Sequence, residues 1–156
     1  MTTLTKVHHR TPYPAINPSL VNSHAGRTIL ITGSSSGIGL YTAEAFVTAS
    51  AFQVIILGRQ QELLTTAVAE LEASKHPSSS TKILSRKCDI GDGKEMEELW
   101  QGLKKDAIEV DVLVLNAAKT GPLSVRSEWT RVWEYFEVNV LANLRMTEKL
   151  LAQGPK

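Results

Sequence analysis

Thr28-Ile29-Leu30-Ile31-Thr32-Gly33-Ser34-Ser35-Ser36-Gly37-Ile38-Gly39 is the stretch on which the fold turns. A threonine and three apolar residues, mostly β-branched, run into a second threonine, three serines and three glycines. The apolar run has the length and composition of a buried strand. The glycines allow a tight turn and let the main chain approach a ligand closely. Helical spacing begins near Gly37, so the free N–H groups and positive dipole end of a helix point into the turn. A pyrophosphate suits such a turn, and the serines add hydroxyl donors. The segment is not a P-loop, because no Lys-Ser or Lys-Thr follows its last glycine. Its spacing is T-G-x-x-x-G-x-G and not G-x-G-x-x-G. An ordinary strand-to-helix turn also carries glycines, so the flanking elements must decide.

Working outward, apolar runs alternate with helical patterns. Ile38, Thr42, Ala45, Phe46 and Ala49 predict one face of a first helix. Val54-Ile55-Ile56-Leu57 is a second strand, closed by Gly58, and Leu63, Leu64, Ala67, Val68 and Leu71 mark the next helix. Pro77 and the serines around it predict a loop, followed by a weaker strand over about Lys82–Lys87. Met96, Leu99, Trp100 and Leu103 define a third helix, and Val112-Leu113-Val114-Leu115 a fourth strand. Trp129, Val132, Trp133, Phe136, Val140, Leu144, Thr147 and Leu151 then predict one long amphipathic helix over 128–152, stopped near Gly154-Pro155. Strand–helix alternation with near-continuous apolar strands predicts a parallel sheet covered on both faces. The expected fold class is α/β, the first half of a doubly wound Rossmann-type sheet in three layers, with strand order 3-2-1-4. Ligands of such sheets bind at the carboxyl ends of the strands.

Composition agrees with one domain. The chain has 156 residues, 42% of them hydrophobic, and a formal charge of +1 with both signs interspersed. No nucleic-acid or membrane partner is implied, and no apolar run is long and clean enough to span a bilayer. Residues 1–26 read as an irregular polar arm with Pro12, Pro14 and Pro18, and 27–156 as the incomplete doubly wound domain. The arm lacks the apolar stretch of a secretory signal. A single cysteine, Cys88, fits a reducing compartment, with cytoplasmic location the expectation. His8-His9 has no accompanying Cys or acid cluster, so no metal site is expected.

The glycine spacing resembles the cofactor turn of the short-chain dehydrogenase/reductase family, its classical type in particular. Tyr13-Pro14-Ala15-Ile16 resembles the lead-in of some fungal members. The resemblance extends over residues 27 to about 152 and implies cofactor contacts from Gly33, Ser34, Ser35, Ser36, Gly37, Ile38 and Gly39.

Further positions fall where the resemblance requires. Arg59 follows the second strand, where an acid would bind the 2′-hydroxyl of NAD and an Arg accommodates the 2′-phosphate of NADP. NADP(H) is therefore the expected cofactor and NAD the lesser one. Many NADP enzymes of the family carry a basic residue just before the second motif glycine; here Ser36 stands there. Asp89-Ile90 follows the third strand, where family members contact adenine, and this is the role the resemblance implies; the other reading, compatible with it, is that Asp89 or Asp92 caps the third helix. The family's N-N-A-G reads here Leu115-Asn116-Ala117-Ala118, keeping small residues beside the expected nicotinamide ribose. The first Asn and last Gly are replaced. Asn139, a poor helix-interior residue, matches the Asn that helps hold a water in the family's proton relay, a catalytic role by resemblance.

Hydride transfer to a carbonyl needs a proton donor for the developing alkoxide. The family supplies a Tyr with a Lys four residues later, and an upstream Ser. Four residues after Tyr13, Tyr41 and Tyr135 stand Asn17, Ala45 and Asn139, so no Tyr-x-x-x-Lys occurs here. The resemblance implies a C-terminally truncated NADP-dependent oxidoreductase for a small carbonyl or secondary alcohol, inactive alone. The alternative is a non-catalytic nucleotide-binding or interaction module. Truncation would leave the fourth strand as an edge and part of the last helix's apolar stripe exposed. The Trp129–Trp133–Phe136 stripe reads first as core, and the resemblance implies a homo-oligomer surface as the second reading.

Overall fold

A computed structural model describes residues 14–18, 24–121 and 129–154. His8, His9 and Tyr13 lie outside them. Of the expected arm, Pro14–Ile16 forms one 3-10 turn.

Four parallel strands, β1 (Thr28–Ile31), β2 (Gln53–Gly58), β3 (Lys82–Lys87) and β4 (Val112–Val114), form one sheet in the order β3-β2-β1-β4. The predicted α/β fold and strand order are thus observed. Every residue of β1 and β2 is buried, as strands covered on both faces require. Alternation divides them between two cores. Ile29, Ile31, Val54 and Ile56 pack toward α1 (Gly37–Thr48) and α2 (Gln61–Ser74). Leu30, Ile55 and Leu57 pack toward α3 (Gly93–Lys105) and α5 (Ala142–Leu151).

Two helix faces differ from the sequence reading. α1 buries Gly39, Ala43 and Val47, while Ile38 is 79% exposed. Small residues four apart let this helix lie close to the sheet, which hydrophobicity alone does not signal. The last helix is a continuous run of α4 (Trp129–Phe136), a π-helical turn (Glu137–Leu141) and α5. It carries two apolar stripes. The smaller one, Val138, Ala142, Met146 and Leu150, joins the core. The larger one is outward, with Trp129 70% and Trp133 58% exposed and Trp133 stacked on Phe136 at 5.2 Å. The aromatic stripe is therefore surface, contrary to the core reading. β4 is shorter than expected: paired to β1 alone, it is only half-buried, and Leu115 falls beyond it.

α3 is fastened at its start by Asp92, whose Oδ1 accepts from the N–H groups of Lys94 (2.8 Å) and Glu95 (3.3 Å). Lys149 of α5 ion-pairs with Glu97 of α3, and its hydrogen bond holds the Glu97 carboxyl below the ordinary glutamate range. No described helix is long and apolar enough to cross a membrane.

Ser34 joins the glycine turn to β2. Its N–H donates to Leu57 O (2.9 Å), its hydroxyl donates to Ile31 O (2.7 Å), and its Oγ accepts from Leu57 N (3.0 Å). The residue is fully buried. Ser34→Ala leaves Leu57 N–H without that acceptor and is expected to cost about 1–3 kcal/mol. Equilibrium urea unfolding measures this, and a loss under about 0.5 kcal/mol, the level of ordinary surface changes, would contradict it.

Candidate cofactor site

A cleft of about 590 Å³ opens where all four strands end. Gly33 comes to it from β1, Gly58 and Arg59 from β2, Cys88 to Gly91 from β3, and Asn116 to Lys119 from β4. Ser35, Ser36 and three residues of the last helix, Glu134, Glu137 and Val138, complete the lining relevant here. Of the predicted residues, Gly33, Ser35, Ser36, Arg59, Asp89, Ile90, Asn116, Ala117 and Ala118 are brought together. Ser34, Gly37, Ile38, Gly39 and Asn139 are not in the lining. The Ser34 hydroxyl hydrogen is committed to Ile31 O, so it is not the free donor expected from the sequence.

The turn's shape needs its glycines. Gly33 has φ +63°, and a Cβ there would sit 2.9 Å from Ala117 Cα. A Cβ on Gly39 would meet Gly33 O at 2.4 Å, Asn116 Nδ2 at 2.5 Å and Ser34 Cα at 2.8 Å. Ser36, the N-cap of α1, has extended backbone and no side-chain capping bond, so the helix opens toward the cleft without a protein cap.

A clamp from β4 holds the turn in place. Thr32 N donates to Val114 O (3.0 Å), and Thr32 Oγ1 accepts from the N–H groups of Asn116 and Ala117 (3.0 Å each). Asn116 Nδ2 donates to Thr32 O and Gly33 O, both at 3.0 Å. The Asn116 side chain therefore fastens the glycine turn. Thr32 was missed as a candidate; its only signal was its place before the first glycine.

Asp92 caps α3, which leaves Asp89 to the cleft. Asp89 Oδ1 accepts from Gly91 N (3.0 Å), its N–H donates to Glu95 Oε2 (2.8 Å), and its Oδ2 stands 3.8 Å from Arg59 Nη1. The Arg59 side chain is 75% exposed and can leave this long pair cheaply. Cys88 is buried, and burial together with Glu95, Asp89 and Asp92 pushes its thiol up to about 12. It stays protonated at neutral pH and is no nucleophile. No group of three His, Cys, Asp or Glu able to hold a metal occurs among the described residues.

Asn139 sits in the π-helical turn. Its Oδ1 accepts from Lys119 N (2.7 Å) and its Nδ2 donates to Lys119 O (2.9 Å), so its side chain grips the segment after β4. Its own carbonyl accepts from Asn143 Nδ2 (2.9 Å). Asn143 and Lys119 were both missed from the sequence, where neither lies in a recognisable motif.

Comparison with known proteins meets this geometry. The family model for short chain dehydrogenase matches residues 27–154. The chain belongs to the short-chain dehydrogenase family. Short chain dehydrogenase mpl6 of Monascus purpureus is 32% identical over 162 residues, covering 96% of this chain and 51% of that relative. The NADP-dependent 3-hydroxy acid dehydrogenase of Schizosaccharomyces pombe is 33% identical over 132 residues, covering 81% of this chain and 48% of its own. Among solved structures, L-sorbose reductase from Gluconobacter frateurii complexed with NADPH and L-sorbose superposes with TM-score 0.73 at 25% identity, over 83% of this chain and 48% of that one. The chain thus spans about half the length of these three proteins.

Proposed function

We propose that residues 27–156 seat NADP(H) in the cleft, with NAD(H) bound less tightly, as the cofactor half of an oxidoreductase for a small carbonyl or secondary alcohol. The observation that carries this reading is the glycine turn: Gly33 and Gly39 leave no room for side chains, and the uncapped start of α1 opens toward the cleft. A phosphate at the turn would meet main-chain N–H groups and the hydroxyls of Ser35 and Ser36. Arg59 would turn from Asp89 to the 2′-phosphate, while Asp89 and Ile90 border the adenine and Ala117 and Ala118 the nicotinamide ribose. Gly37 and Ile38 contribute through the first turn of α1. When bound, the cofactor supplies or accepts the hydride. Asn139 is proposed as a positioning residue: both polar atoms of its side chain hold Lys119, leaving only its carbonyl, already bonded to Asn143, to face a proton relay.

No Tyr-x-x-x-Lys occurs in these 156 residues, so this stretch by itself is proposed to bind cofactor without turnover. That same observation favours a second reading, a non-catalytic nucleotide-binding module, and carbonyl-dependent oxidation of NADPH by the pure chain would exclude it. The exposed Trp129–Trp133–Phe136 stripe supports self-association through the last helix. A cytoplasmic location is proposed from cysteine use, with no nucleic-acid or membrane partner.

The test is thermal unfolding of the chain with NADPH, with NADH and with neither. NADPH at about a hundred times its Kd stabilises by about 2.7 kcal/mol, and an equal concentration of NADH by less. A cooperative transition that neither nucleotide moves would sink the reading.

A further inference from the structure

Among the described residues two cations line the cleft, and they stand on opposite sides of the glycine turn. Arg59 follows β2 and Lys119 follows β4, with β1 and its turn between those strands. The family resemblance assigns nothing to Lys119. It lies two residues beyond Ala117, the residue pressed against Gly33. Its main chain is fixed at both polar atoms by Asn139, so its side chain starts from a set position beside the turn. The ammonium ion-pairs with Glu134, one of the cleft's own lining residues, and lies 5.6 Å from the centre of the Tyr135 ring.

Charge balance makes this arrangement odd for an anion site at rest. Among the described residues, Asp89, Glu134 and Glu137 give the lining one more carboxylate than it has cations. Glu137 also accepts from Trp133 Nε1 at 3.0 Å and so has a partner of its own. Glu134 and Lys119 side chains are 45% and 42% exposed, and a pair so open to water is held weakly. Lysine, a point charge on a flexible four-carbon stem, can change partners without moving its backbone.

We infer that Lys119 is a contact for the cofactor's pyrophosphate, held in reserve by Glu134: on binding, the ammonium leaves the carboxylate for the phosphate oxygens beside the glycine turn. The inference rests on the reading that the cleft takes a dinucleotide. Pyrophosphate is favoured over the 2′-phosphate by strand order, because the β1 turn adjoins β4 whereas the β2 end, where Arg59 stands, is on the far side. NADPH and NADH share the pyrophosphate, so Lys119 should act on both equally, unlike Arg59.

The experiment is titration of the chain with NADPH and with NADH, for the wild type, Lys119→Met, Lys119→Arg, Glu134→Gln and the Lys119→Met/Glu134→Gln double variant, at low and moderate salt. Lys119→Met is expected to weaken both nucleotides about tenfold and to flatten the salt dependence, with Lys119→Arg recovering most of the loss. Glu134→Gln is expected to tighten both several-fold, and the gain to shrink when Lys119 is absent. Unchanged affinities in Lys119→Met, or weaker binding in Glu134→Gln, would show the pair to be a strut of the fold and overturn the inference while the wild type still binds. A wild type that binds neither nucleotide overturns the dinucleotide reading and this inference with it. The unliganded melting temperature of each variant separates lost binding from lost folding.

Discussion

Gly39→Ala is expected to lower the thermal unfolding midpoint by roughly 6–12 °C, from a loss of about 3 kcal/mol, and to abolish nucleotide binding. The added methyl would lie 2.4 Å from Gly33 O and 2.8 Å from Ser34 Cα, main-chain atoms that cannot swing aside. Its third neighbour, Asn116 Nδ2 at 2.5 Å, carries two of the bonds that fasten the turn to the segment after β4. The turn can move away only by releasing Asn116, and Asn116 only by releasing the turn. Gly102→Ala is the matched control. It lies in α3, a Cβ there meets nothing within 4 Å, and alanine is the better helix former by about 0.8–1.0 kcal/mol. Calorimetry of the two variants should therefore give shifts of opposite sign. Equal small shifts would mean that the turn is slack and the close approach of β1 and β4 unimportant.

Arg59→Ala is expected to weaken NADPH by about 10- to 100-fold, the range for charge-assisted hydrogen bonds to phosphate, and to leave NADH within about twofold by the same reasoning. Among the described residues the Arg59 side chain meets nothing stronger than a 3.8 Å approach to Asp89, so its removal should not disturb the fold. Isothermal titration with the two nucleotides reads the difference directly. Equal weakening of both would place Arg59 at a group the two cofactors share, and no weakening of NADPH would leave the 2′-phosphate without its assigned partner.

The strands and the place of the cleft were legible because they follow from short-range signals. β1 and β2 are runs of buried branched residues, and each candidate residue after a strand had to fall on the same edge of a parallel sheet. Phase was harder to read. In α1 the packed face is Gly39, Ala43 and Val47, whose smallness matters more than their hydrophobicity, while the larger Ile38 stands in water. In the last helix the bulky stripe drew attention and the modest one, Ala142 and Met146, faces the core. The Asp92 cap was legible as one of two candidates, but the hydrogen bonds between distant segments were not. Ser34, Thr32, Asn116 and Asn139 each act on main chain far away in sequence, through directions that only the assembled sheet defines. Lys119 lay outside every motif, and its bonds to Asn139 and its reach to Glu134 mark it only in the structure.

The Thr32–Asn116 clamp also dates the site within the life of the molecule. The turn is encoded early, yet the bonds that give it shape come from a partner 84 residues later. At ribosomal speeds of about 5–20 residues per second, the first half waits about 4–17 s for the second. Until β4 docks, the edge of β1 that it will cover is open to other strands. On the proposed function, a nucleotide meets a shaped turn only after β4 has docked, so it stabilises the finished turn and does not guide the nascent chain to it.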